Sequence, residues 1–269
     1  MINFPNCKIN LGLQVLGKRP DGYHDLCTIF YPLPVRDVLE VLSATETNLA
    51  VTGIPVDGDP EKNLCVKAWQ LLKQHHPELS PVSIGLHKNI PMGAGLGGGS
   101  ADGAFMLQLL NKKYQLGIAE EKLMEYALQL GSDCPFFIVN KPCLATGRGE
   151  KLTPVSPDLK NYSFLLVHPG IHVNTGWAFS QIKPAAASAD LASIIQQPVE
   201  QWRHTLVNDF EAPVCNHYPE MQAIKDKLYN AGAIYASMTG SGSCFFGIFP
   251  KKQLPAIDWP ATYRQFLLP

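Results

Sequence analysis

The chain has 269 residues, 46% of them hydrophobic, and a formal net charge of -1. That is enough apolar material for one large core or two ordinary ones, and too little positive charge to invite a nucleic-acid partner. No apolar run is long enough for a membrane span, and Met1–Asn10 lacks the basic and then apolar regions of a secretory leader. The seven cysteines, an odd number without a Cys-x-x-Cys pair, read as reduced, mostly buried thiols of a cytoplasmic protein.

From Cys7 to Val15, apolar Ile9, Leu11, Leu13 and Val15 alternate with Lys8, Asn10, Gly12 and Gln14. This pattern predicts a strand with one buried face, and it places Lys8 and Asn10 on the other. Lys18-Arg19-Pro20-Asp21-Gly22 predicts a tight turn that delivers Tyr23 and His24. Asp37 to Leu42 reads as a further strand and 53–60 as loop. Asn63 is the expected N-cap of a helix running to about Gln74, with Leu64, Ala68, Leu71 and Leu72 inward. Val82, Ile84 and Leu86 alternate again, so a strand runs straight into the stretch from Pro91 to Leu107.

Five glycines fall between Gly93 and Gly99, and Ser100 then opens the apolar run Ala101 to Leu110, which predicts a helix buried on most sides. Glycines admit positive φ and let a ligand approach the backbone without meeting a Cβ. A helix N-terminus also presents unpaired N–H groups at the positive end of a dipole. Together these features predict an anion site with phosphate as its usual occupant. The plainer alternative, a flexible turn capped by Ser100, requires neither the strand before it nor the buried helix after it.

Glu120 to Leu130 predicts a second helix, with Leu123, Met124, Ala127 and Leu128 on its apolar face and Gly131 as its stop. Ser132-Asp133-Cys134-Pro135 then turns into Phe136 to Val139, expected as a short buried strand because Pro135 bars helix continuation. Asp133 is thereby held at a tight corner. Pro154 and Pro157 mark an expected boundary near Lys151 to Leu159, dividing the chain into domains 1–152 and 153–269. Beyond it come a buried strand at Tyr162 to Val167, a surface loop at Ala185 to Ala189, and a helix opened by Pro219 and ended by Gly232. Strands at Ile234 to Met238 and Cys244 to Phe249 flank a second glycine cluster, Thr239-Gly240-Ser241-Gly242-Ser243. The order strand, helix, strand, strand makes the second domain α+β.

Three chemical readings fail on spacing. Gly93 to Gly98 satisfies G-x-G-x-x-G, but the acidic residue required about twenty positions on is replaced by Gly117-Ile118-Ala119-Glu120 at a helix start. No Gly-Lys-Ser/Thr follows the glycines, so the loop is not of the Walker type. His168 and His172 are separated by Pro169 and Gly170, which exclude a helix presenting both to a metal. What remains is a phosphate cradle, a fixed aspartate and a lysine, the set that phosphoryl transfer to a hydroxyl requires. An aspartate at such a turn is also a common helix cap, and this alternative stays open.

Pro91 to Ala101 resembles the ATP-binding signature of the GHMP kinases. Lys8-Ile9-Asn10-Leu11, Asn208-Asp209-Phe210-Glu211 and Thr239-Gly240-Ser241-Gly242 resemble that family's other motifs, in the expected order along nearly the whole chain. The resemblance implies an α+β GHMP kinase fold. Its N-terminal ATP-binding domain is α/β, like ribosomal protein S5 domain 2, and its C-terminal domain is ferredoxin-like. Lys8 to Leu13, Gly17 to His24, the triple glycine before Ser100, Gly131 to Phe137 and His168-Pro169-Gly170 are similar to one branch of the family. That branch phosphorylates the 2-hydroxyl of a cytidine-diphospho sugar alcohol in non-mevalonate isoprenoid synthesis.

The likeness implies ATP with Mg²⁺, a small-molecule substrate, no membrane partner, and a monomer or weak homodimer. Lys8 and Asp133 match the catalytic pair. Asn10, Tyr23, His24, Thr175 and Phe179 match substrate positions. Asn63, Lys88, Pro91, Met92, Gly93, Ala94, Gly95, Leu96, Gly97, Gly98, Gly99, Ser100 and Ala101 match nucleotide positions. Ala101 departs from the signature, which often has a second serine there, and Asp102 sets a carboxylate where a related enzyme has an amide; the metal ligands stay unassigned. The rival expectations are a GHMP kinase for homoserine or mevalonate-type substrates, opposed by Tyr23-His24, and a nucleotide-binding module without catalysis, opposed by the presence of both Lys8 and Asp133.

Overall fold

The computed structural model describes every residue except 57, 188, 252 and 254. In chain order, β1 (Ile2–Asn3), β2 (Asn6–Lys18), β3 (His24–Arg36), β4 (Val38–Ser43) and β5 (Asn48–Gly53) precede α1 (Leu64–His75) and β6 (Val82–Lys88). Then come α2 (Gly98–Tyr114), α3 (Glu120–Leu130), α4 (Cys134–Val139), β7 (Cys143–Gly147), β8 (Lys151–Pro154) and β9 (Tyr162–His168). The chain closes with α5 (Thr175–Ser180), α6 (Leu191–Ile194), α7 (Glu211–His217), α8 (Pro219–Asn230), β10 (Tyr235–Met238), β11 (Phe245–Pro250) and β12 (Arg264–Leu268).

The compact units are not single stretches of chain. The first comprises Met1–Lys8, Pro32–Met92 and Gly97–Lys141; the second comprises Ile9–Tyr31, Gly93–Leu96 and Pro142–Pro269. In the first unit one sheet has the order β1-β4-β6-β5, with β5 and β6 parallel and the other pairs antiparallel. Against α1 lies α2, whose Ala101, Ala104, Met106, Leu107 and Leu110 are fully buried. Burial on nearly every side is what its unbroken apolar run predicts. At Gly103 a Cβ would come within 2.9 Å of the Leu64 Cβ on α1, so the two helices approach at a glycine.

In the second unit an antiparallel sheet has the order β10-β11-β9-β12. The first strand of the unit's α+β half thus lies beside its third, with the second and fourth at the edges, the strand order expected of a ferredoxin-like domain. The connection from β11 to β12 carries no helix among its described residues. Leu165, Val167, Phe210, Met238 and Phe245 build the core on this sheet, joined by Leu13 and Val15 of β2. A further sheet has the order β2-β3-β7-β8. Residue 188 of the expected surface loop lies outside the described residues, while 185–187 are exposed.

Several expectations need correction. Residues 136–139 form no strand; they belong to α4, with Pro135 in its first turn. A proline there gives up an N–H that has no helical partner in any case, and its fixed φ suits the helix. The helix after the glycines starts at Gly98, capped by Gly97 with φ 71°, not at Ser100. The strand β2 does not have one buried face: Lys8 is 3% exposed, Asn10 1% and Gln14 5%. Its polar side is covered as well, so period-two alternation there records chemistry and not exposure. The strands β3, β5, β7 and β8 are not among the expected elements, and β8 falls in the stretch taken for a boundary.

Replacing Gly103 with valine is expected to destabilise the fold by about 1–3 kcal/mol, the usual result of forcing extra carbons into a close-packed helix contact. Denaturant unfolding of the variant and the parent checks this.

Candidate active site

Two groups of residues, one in each unit, carry the chemistry expected from the sequence. In the first unit Lys8, near the start of β2, sits against the glycine that caps α2. A Cβ at Gly97 would come within 2.9 Å of the Phe137 ring and 3.2 Å of Lys8 Cε. The Lys8 ammonium lies 3.5 Å from Asp133 Oδ2, with the lysine side chain 4% exposed and the aspartate side chain 33%. Asp133 stands at the N-cap of α4 but makes no side-chain cap bond. Asp133 occupies the cap position, but its side chain does not serve as a cap there. Its carboxylate faces a cation and solvent.

No side-chain bond caps α2 either, so the amides of its first turn stay available to an anion. Gly99 has no atom within 4 Å of where a Cβ would stand. Asn63 is committed as the cap of α1, accepting from Cys65 N–H at 2.9 Å. Pro91 is buried and Met92 exposed.

Lys88 and Asp102 form the most buried charged group in this unit. Lys88 Nζ donates to Asp102 Oδ2 at 2.6 Å and to Asp37 Oδ2. Asp37 Oδ1 also accepts from the N–H groups of Asn89 and Ile90. Exposure is 0% for Asp37, 1% for Lys88 and 3% for Asp102. Burial pushes the Asp102 carboxyl well above the usual carboxylate range, against the pull of the Lys88 ammonium. For Lys88, burial alone would lower the pKa, but the Asp102 and Asp37 carboxylates outweigh it and the net shift is upward. Asp102 therefore points inward, to a lysine, and lies in the second turn of α2. Its Oδ1 is buried without a hydrogen-bond partner among the described residues.

The second unit holds all five residues matched to substrate positions. His24 stacks on Phe179 with ring centroids 4.6 Å apart and planes at 16°. Phe179 meets Phe210 edge-on at 4.8 Å. Next to His24, Tyr23 is 52% exposed, with the Arg148 guanidinium 4.5 Å from its ring centre. Thr175 Oγ1 lies 3.1 Å from Ser241 Oγ. Asn10 is buried: its amide donates to Thr28 Oγ1 at 2.9 Å, and its backbone N–H donates to Thr239 Oγ1 at 3.0 Å.

Residues Gly93–Leu96 group with this unit and touch the second glycine cluster. A Cβ at Gly95, where φ is 77°, would sit 2.0 Å from the Thr239 carbonyl oxygen. Thr239 Oγ1 is also 3.2 Å from the Gly95 carbonyl oxygen. The Asn208–Glu211 motif explains how that cluster is held. Asn208 donates to the carbonyls of Met238 at 2.8 Å and Gly240 at 2.9 Å. Glu211 Oε2 accepts from Met238 N–H at 2.7 Å. Sequence reasoning missed Thr239, Arg148 and Asp37 as members of these groups. Only Thr239 carried a signal, its place in the second glycine cluster.

The chain matches a family of small-molecule kinases. The GHMP kinase N-terminal domain model matches residues 63–141, and the GHMP kinase C-terminal model matches 188–257. The chain belongs to the GHMP kinases, which use ATP. A relative from Bacteroides fragilis named 4-diphosphocytidyl-2-C-methyl-D-erythritol kinase is 51% identical over 268 residues, 98% of this chain and 97% of its own. One of the same name from Azobacteroides pseudotrichonymphae is 52% identical over 99% of this chain and 100% of its own. The crystal structure of a 4-(cytidine 5'-diphospho)-2C-methyl-D-erythritol kinase aligns with TM-score 0.79 at 31% identity, covering 92% of this chain and 90% of that one. Methanococcus jannaschii mevalonate kinase, at 14% identity and TM-score 0.68, shares the fold. No helix of the described residues is long and apolar enough to cross a membrane. All seven cysteines are free thiols, six of them buried.

The raised Asp102 pKa has a consequence for stability. A carboxyl whose folded pKa lies above its unfolded value contributes fully below the unfolded pKa, and that contribution is lost as pH rises through the folded one. The Lys88 contribution, with a raised pKa of its own, persists until alkaline pH. Asp102→Asn cannot ionise, so its Tm relative to the parent should shift in its favour between about pH 5 and about pH 8. Thermal melts at the two pH values check the sign.

Proposed function

We propose that the chain transfers the γ-phosphoryl group of ATP to the 2-hydroxyl of 4-diphosphocytidyl-2-C-methyl-D-erythritol, giving the 2-phosphate and ADP. The observation that carries the chemistry is the Lys8–Asp133 pair. It is a carboxylate free of any capping duty, held 3.5 Å from a buried ammonium that packs against the glycine cap of α2. The near full-length identity to relatives of that name supports the substrate.

In this reading the glycine loop, Pro91 to Ala101, holds the donor phosphates on unpaired backbone amides at the positive end of the α2 dipole. Asp133 accepts the proton of the 2-hydroxyl as the oxygen attacks phosphorus, and the bond from the γ-phosphorus to the bridging oxygen of ADP breaks. Lys8 orients the carboxylate and offsets charge on the equatorial oxygens of the transferring group. Mg²⁺ fits what is present. It binds through substrate phosphates plus one or two carboxylates and keeps several waters, and the Asp133 carboxylate is one-third exposed while Asp37 and Asp102 are committed to Lys88. Bound to ATP, the ion would supply charge neutralisation on the phosphates.

Tyr23, His24 and Phe179 read the cytosine end. A ring pair already stacked at 4.6 Å offers an aromatic face, and base stacking contributes about 1–3 kcal/mol. The His24 imidazole can both donate and accept, as a cytosine edge requires. Asn63 acts by capping α1 beside the nucleotide, and Asn10 and Thr175 frame the alcohol. Residues 1–152 carry the nucleotide and 153–269 the family's C-terminal half. Free buried thiols support a cytoplasmic setting, with the chain acting as a monomer or weak homodimer.

Asp133→Asn should fold and bind ATP but lose about 10²–10⁴ in kcat, the usual range for removing a general base. Lys8→Met should also lose activity, and the double variant should be little worse than either single one because the two act as a unit. Near-normal turnover of Asp133→Asn contradicts the mechanism.

His24→Ala should raise KM for the cytidyl substrate about tenfold, from loss of at least one hydrogen bond, and leave KM for ATP unchanged. Exchanging cytosine for uracil should impair the parent far more than this variant. Equal discrimination between the two bases would remove these residues from base recognition.

A further inference from the structure

The backbone entering the glycine loop and the helix leaving it are fastened to the same three buried charged side chains. Asp37, in the link between β3 and β4, accepts at Oδ1 from the N–H groups of Asn89 at 2.5 Å and Ile90 at 2.8 Å, the two residues before Pro91. At Oδ2 it accepts from Lys88, which closes β6. The same ammonium donates to Asp102 in the second turn of α2. Lys88 Nζ also lies directly beneath the start of that helix, 3.4 Å from where a Cβ on Gly98 would stand.

All three residues are at least 97% buried, and the lysine has no exposed end with which to meet a ligand. A buried group of this kind is seldom the most stable filling for its space; apolar side chains of similar volume often serve as well or better. What it provides is direction. Both arms of the loop are referred to one point, so the amides of Gly98, Gly99 and Ser100 are set at a fixed distance from the strand end at Lys88. Anion binding by backbone amides depends on that preset geometry, because the amides have no side-chain freedom with which to adjust.

We propose that Asp37, Lys88 and Asp102 are positioning residues for the ATP phosphates, with Lys88 acting through the two carboxylates and not by touching the nucleotide. The inference rests on the ATP-dependent phosphotransfer proposed above. The alcohol substrate does not depend on this cluster, so the two substrates should respond differently to its loss.

The test is steady-state kinetics of Asp102→Ala, Lys88→Met and Asp102→Asn beside the parent, varying each substrate at saturating concentrations of the other. Asp102→Ala and Lys88→Met should each raise KM for ATP about tenfold or more, with KM for the alcohol within about twofold of the parent. Asp102→Asn, which keeps an acceptor for the lysine, should recover to within about threefold of the parent. A rise with Lys88→Met but not with Asp102→Ala would mean a direct lysine contact with ATP and overturn the assignment. Equal rises for both substrates, or none for either, would also overturn it. Should Asp102→Ala fail to fold, hydrogen exchange on the parent decides: the Asn89 and Ile90 amides should be as protected as those inside β6, and exchange at open-loop rates refutes the anchoring. Turnover by the parent itself tests the kinase reading, so a parent that turns over alongside unresponsive variants refutes the positioning role alone.

Discussion

A helix N-terminus binds an anion only if the protein leaves its amides unpaired and the space in front of them empty. Most long helices do the opposite and cap themselves with a serine, threonine or aspartate side chain. Here α2, seventeen residues long, is capped by a glycine in the left-handed region with no side-chain bond. The rest of the structure compensates for that opening. The helix is buried along its length, Gly103 lets α1 approach, and the Asp37–Lys88–Asp102 group fastens its second turn to the strand before the loop. An uncapped end is tolerated because everything behind it is fixed.

The same logic explains why two glycine clusters occur. Gly95 is required by the protein itself: the Thr239 carbonyl oxygen fills the place of its Cβ. Gly99 has open space instead. One glycine loop thus combines close backbone approach in the second unit with open space at Gly99 in the first. The Asn208–Glu211 motif holds the carbonyls of Met238 and Gly240 and the amide of Met238 in place.

Much of this was legible in the sequence because it rests on local rules. Glycine density, the apolar run after it, the Asn63 cap and the Glu120–Leu130 helix follow from neighbouring residues alone, and the family resemblance supplied the pairing of Lys8 with Asp133. What was not legible depends on distant partners. That the Asp133 side chain makes no cap bond is a matter of geometry, invisible in Ser132-Asp133-Cys134-Pro135. That Asp102 points to a lysine requires knowing that β6 ends beneath α2. Asp37 stands between Arg36 and Val38 without any motif. The residues 136–139 were misread because a proline that ends one helix is equally a good start for the next, and local sequence does not distinguish the two.

The central claim is that a lysine-aspartate pair beside an open helix N-terminus phosphorylates one particular alcohol. The most direct measurement is to incubate the full chain with ATP and Mg²⁺ and, in separate reactions, 4-diphosphocytidyl-2-C-methyl-D-erythritol, mevalonate or homoserine, and to follow phosphorus NMR. The account predicts a new phosphate monoester on the tertiary 2-hydroxyl of the cytidyl compound, with stoichiometric ADP and no product from the other two. A monoester on mevalonate or homoserine, or ADP release without a phosphorylated alcohol, would contradict it.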